Sequence, residues 1–144
     1  MFFFTSTSFA SASNVLQDPG FESGGTLSWR KWGGILEAVS APVNTGSFAA
    51  RVISTTSSTK WIYQLTQVVP GSYYTFSGYA LKNDANISYI LLRISWYGLA
   101  EGTGTELSHV DSTESLTENS SGYRFLSTGS VLAPDGAVSA KARA

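Results

Sequence analysis

The side chains best suited to chemistry in this chain of 144 residues are aromatic and basic rather than nucleophilic. Tyr79, Tyr89, Arg93 and Tyr97, with Trp61 upstream, fall at spacings that strands would turn to one side. A sugar ring stacks its apolar C–H surface on exposed Trp or Tyr while Arg, Asn or Gln takes its hydroxyls, so this set could bind a glycan. Aromatics at period two serve equally well as core or cross-strand packing. Catalytic chemistry has thinner support. His109 is the sole histidine, in a polar run, and no Gly-x-Ser-x-Gly elbow frames a serine triad. The carboxylates fall mostly in loops, and a pair such as Glu101 with Asp111 is conceivable at glycosidase spacing, yet nothing selects it. Gly102-Thr103-Gly104 lacks the third glycine and the following helix of a dinucleotide fingerprint and reads as a turn. No catalytic residue is therefore assigned, and the protein is not expected to be an enzyme.

The composition narrows the classes further. Nine Lys and Arg stand against ten Asp and Glu, scattered along the chain, which lacks the basic stripe of a nucleic-acid binder. There is no cysteine, hence no disulfide, thiolate metal site or cysteine nucleophile. No run approaches the roughly 18 apolar residues of a membrane span. The length suits one domain, since a chain of about 150 residues buries roughly two-thirds of its unfolded surface.

Short alternating runs separated by Gly, Ser, Asn and Asp turns predict an all-β fold, an antiparallel sandwich. Strands are expected at 14–17, 27–32, 35–41, 48–54, 60–68, 73–82, 87–97, 105–111, 123–131 and 137–143. In 87–97, Ile90, Leu92, Ile94 and Trp96 share the core side and Tyr89, Leu91, Arg93, Ser95 and Tyr97 the other. In 73–82, Tyr74, Phe76, Gly78 and Ala80 look inward, leaving Tyr73, Thr75, Ser77, Tyr79 and Leu81 outside. If these two strands are adjacent, each shows aromatics on its outer side, with Trp61 on a neighbouring strand.

Three segments carry a family likeness: Asn14-Val15-Leu16-Gln17-Asp18-Pro19-Gly20-Phe21-Glu22; Asn44-Thr45-Gly46-Ser47-Phe48-Ala49-Ala50-Arg51-Val52; and residues 63–82, where a Gln-containing strand, the Pro70-Gly71 turn and Tyr74-Thr75-Phe76-Ser77-Gly78-Tyr79 follow in order. Here the chain resembles the jelly-roll carbohydrate-binding modules of families 4, 9 and 22, in the galactose-binding-like group. The likeness runs from about Asn14 to the C-terminus and implies a jelly roll of about ten strands. It also implies a structural calcium held by Glu22, by carbonyls of 44–47 and by an Asp on a final strand; Glu22 is present and that Asp is not. No other cofactor is expected.

The absent final strand would leave an edge that proteins normally cover. Residues 1–13 precede the motif without the basic n-region or the apolar run of about 7 to 15 residues that a secretion signal needs. They are expected to form an extended N-terminal arm outside a sandwich at 14–144, with Phe2, Phe3, Phe4 and Phe9 as partner-binding residues. On this basis the leading expectation is a non-catalytic assembly subunit, such as a virion decoration or cement protein. It would be held by its arm to other protein subunits, homo-oligomeric, and located on a virion or other extracellular assembly surface. The alternative is a glycan-binding module.

Overall fold

The structure, a computed structural model, describes residues 1–7 and 13–144. Its elements are β1 (Phe2–Thr7), β2 (Ser13–Asn14), β3 (Arg30–Trp32), β4 (Ile35–Val39), β5 (Ala49–Ile53), β6 (Trp61–Gln67), β7 (Tyr73–Ala80), β8 (Arg93–Tyr97), β9 (Glu106–Asp111), β10 (Arg124–Ser127), β11 (Val131–Leu132) and β12 (Ser139–Arg143). Among the described residues there is no helix, so none is long and apolar enough to cross a membrane. One sheet runs β10-β7-β1-β2, with β11 also on β7; the other runs β3-β6-β12-β8-β9; β4 and β5 form a separate hairpin. Every pairing is antiparallel.

The period-two pattern of each strand decides what lies between the sheets. Phe4, Tyr74, Phe76 and Leu126 come from the first sheet; Ile62, Ile94, Trp96, Ala140 and Ala142 come from the second. Tyr74 meets Trp96 edge-on across the sandwich at 5.7 Å. The small residues of β12 let the large rings of its neighbours close over it. Thr128 interrupts the run between β10 and β11, yet keeps its place beside β7: its amide donates to Phe76 O and its hydroxyl accepts from Phe76 N.

The largest departure from expectation is at the N-terminus. Residues 2–7 are not a free arm but a strand of the domain itself, paired with β7 from Phe2↔Gly78 to Thr7↔Tyr73. Phe2 and Phe4 therefore point into the core, and Phe3, half-buried, points away. Phe4 is fully buried, and Phe2 packs on Trp29, Phe21 and Phe76 at 5.4, 6.3 and 5.7 Å. Burying a Phe side chain stabilises by about 1.5–3 kcal/mol, and here the domain's own core receives it. Asn14 locks the strand: its Oδ1 accepts from Phe4 N and Leu16 N, and its Nδ2 donates to Phe2 O. The partner-binding assignment of Phe2 and Phe4 is thus corrected, and Phe9 lies outside the described residues.

A second correction concerns neighbours. β7 and β8, expected side by side, belong to opposite sheets, because the chain crosses the sandwich between them. Only Arg93–Tyr97 of the long expected strand pairs continuously; Ile90 makes an isolated bridge to Leu116. The expected inward set Leu92, Ile94 and Trp96 is nonetheless buried.

Candidate functional site

The outward side of the second sheet brings basic and aromatic side chains together in register. One row across it reads Arg30, Tyr63, Arg143, Arg93, Asp111. The next reads Leu65, Lys141, Ser95, His109, and Trp32 faces Trp61 directly at one edge. Side chains directly opposed across antiparallel strands have Cβ atoms about 5 Å apart, so the rows form a continuous surface. Trp32 is 70% exposed. Arg93 and Arg143 stand over the Trp61 ring at 5.3 and 6.0 Å, and Lys141 over the Tyr97 and Tyr63 rings at 4.5 and 5.5 Å.

Charge pairs fix this surface. Arg93 grips Asp111 through Nε–Oδ1 at 2.5 Å and Nη2–Oδ2 at 2.8 Å. That contact holds the Asp111 carboxyl below its ordinary value and raises the Arg93 guanidinium. Glu106 accepts from Tyr97 Oη at 3.2 Å, pairs with His109 Nδ1 at 2.7 Å and lies 3.4 Å from Arg143 Nη1; Arg143 also donates to Tyr97 Oη. Burial pushes the Glu106 carboxyl up, but Ser95, His109 and Arg143 outweigh it and hold it low. Burial pushes the Tyr97 phenol up. Carboxylates held ionised in this way position cations; they do not serve as a proton-donating acid.

A profile of a carbohydrate binding domain family, of the 4/9 type, matches residues 13–123, well over half of the chain. The chain belongs to that family. The antiparallel sandwich is accordingly its jelly roll. No curated protein sequence and no solved structure matches the chain.

Within this carbohydrate binding domain the expected glycan contacts divide. Trp61, Arg93 and Tyr97 come together on the second sheet. Tyr97 is buried under Lys141, so its phenol anchors the charge network rather than offering a ring face. Tyr89 is exposed in the segment before β8 and near enough to Arg93 to act on its charge. Tyr79 is not part of this surface: it lies on β7 in the opposite sheet, edge-on to Phe125 at 5.4 Å. Trp32, Tyr63, Glu106, Lys141 and Arg143 were not among the expected contacts. The alternation Ala140-Lys141-Ala142-Arg143, small residue in and cation out, is the signal that could have found two of them. Glu101 is exposed in the turn after β8, and Asp111 is spoken for by Arg93.

Glu22, the residue that the resemblance gives to calcium, faces backbone donors. Its Oε2 accepts from Ser47 N at 2.8 Å and its Oε1 from Phe48 N at 3.4 Å. Gly46, at φ +75°, leaves no room for a Cβ beside that carboxylate. Among the described residues no group of three or more His, Asp or Glu gathers that could hold a metal. A lone carboxylate turned toward backbone N–H donors does not fit a cation that takes six to eight oxygens; Glu22 closes the loop onto the opening motif.

Proposed function

We propose that the outward side of the β3-β6-β12-β8-β9 sheet binds a polysaccharide chain, making this domain a non-catalytic glycan-binding module. The observation that carries the proposal is the Trp32–Trp61 pair, opposed across the sheet, with Arg93 and Arg143 beside it. An aromatic edge beside fixed donors offers both faces of a sugar a partner. Family membership supports the same reading. The assembly-subunit reading has lost its support, because the arm that motivated it is the strand β1 of the domain.

Affinity electrophoresis through gels carrying a panel of plant, fungal and bacterial polysaccharides tests the proposal. At least one should retard the protein, and Trp61→Ala and Trp32→Ala should each restore much of its mobility. Absence of retardation across the panel, or retardation untouched by both substitutions, rejects it.

A further inference from the structure

We propose that the glycan recognised on this sheet is acidic, with a carboxylate or sulfate group docking on the ammonium of Lys141. The inference rests on the glycan-binding reading and goes beyond it by assigning the ligand's charge.

Lys141 is the middle residue of β12, the central strand of the sheet. It is half-buried between the rings of Tyr63 and Tyr97. The two arginines of the neighbouring row are already committed, Arg93 to Asp111 and Arg143 to Glu106 and Tyr97. Lys141 has no such partner: among the described residues no carboxylate lies within ion-pair distance of it and its ammonium makes no hydrogen bond to the protein. A cation held among aromatic rings and short of water, with three donors to place, favours an anion brought by a ligand.

Ser95, opposite Lys141 in register, is fully buried beside Glu106, whose carboxyl its hydroxyl helps hold low, so it offers Lys141 no charged acceptor of its own. Gly102 packs against the Lys141 stem so closely that a Cβ there would lie 3.1 Å from Cε, and this contact holds the lysine in place. The wider field agrees. Arg30, Arg93, Lys141 and Arg143 face outward with only Glu106 and Asp111 to offset them, in a protein whose net charge is −1. Burial first, then the neighbouring Arg143, pushes the Lys141 ammonium below its ordinary value, and Glu106 offsets this only in part.

The test uses the whole chain in gels containing polygalacturonate, its fully methyl-esterified form, a sulfated galactan and the same galactan desulfated. The charged member of at least one pair should retard the protein more strongly than its uncharged counterpart, and which pair responds tells carboxylate from sulfate. A hydrogen bond to a charged group is worth enough to change a Kd about tenfold. Lys141→Gln should therefore weaken binding by about that factor, and Lys141→Arg should retain most of it. Equal retardation by charged and uncharged members, abolished by Trp61→Ala but not by Lys141→Gln, overturns the acidic ligand and leaves glycan binding standing. Retardation by charged gels that ignores both substitutions marks nonspecific attraction and overturns it too. No retardation by any of the four also overturns it, while the broader panel decides the glycan reading independently.

Discussion

Arg93 and Asp111 face each other across β8 and β9 and are joined by two parallel hydrogen bonds, beside the Trp61 ring. The pair orients the guanidinium so that its plane is fixed before any ligand arrives. Because both members are partly exposed, its contribution to stability is below about 1 kcal/mol.

The sign of its pH dependence follows from the lowered Asp111 carboxyl. A carboxylate depressed in the folded state stabilises fully above its ordinary value of 3.8, and that contribution is lost as pH falls through the lower folded value. Asp111→Asn should lower the urea midpoint slightly at pH 7 and converge with the wild type near the acid end of the titration. A difference that persists unchanged in acid would show that packing, not charge, is responsible.

Phe4 is fully buried, stacked on Tyr74 at 5.2 Å and edge-on to Phe76 at 6.4 Å. Phe4→Ala should cost about 3–5 kcal/mol, the range for deleting a core aromatic. Phe3→Ala, one residue along and on the outer side, should cost far less. Equilibrium denaturation of the two variants decides whether β1 is structural; equal, small effects would mean that the strand does not stay docked.

Gln64 is a buried polar side chain that acts as a stretch of backbone. Its Oε1 accepts from Gln17 N at 2.9 Å and its Nε2 donates to Gln17 O at 2.5 Å, tying the opening motif to β6. Gln64→Leu leaves both Gln17 groups without their partner, at about 1–3 kcal/mol. Hydrogen exchange at the Gln17 amide should accelerate well beyond that of the sheet centre; unchanged protection would be the contrary result.

Tyr79 gives a control for the position of the binding face. It lies on the opposite sheet, packed only against Phe125 among the described aromatic rings. Tyr79→Ala should leave retardation by any polysaccharide intact, at a stability cost of about 0.5–1.5 kcal/mol beyond area loss. Loss of binding in this variant alone would move the site to the other side of the molecule.

Strands and their inward faces were legible because alternation is local: Leu92, Ile94 and Trp96 are told from Arg93 and Ser95 by period alone. Strand neighbours were not, since pairing joins residues far apart in the chain. That is why Tyr79 was grouped with Tyr89 and Arg93, and why Trp61 meets Arg93 across an intervening strand rather than beside it. The same limit hid the destination of Phe2 and Phe4. Their alternation with Phe3 was visible, but its partner strand begins some seventy residues later. Lys141 and Arg143 became a binding surface only when β12 was found at the middle of its sheet.

That placement has a counterpart at the other end of the chain. β1 lies between β7 and β2, and β12 between β6 and β8, so the first and last strands are interior members of opposite sheets. β6 and β8 do not pair with each other, so the five residues Ser139–Arg143 alone join the two halves of their sheet. A protein stripped of them would carry two half-sheets with open edges, each a template for pairing with another molecule.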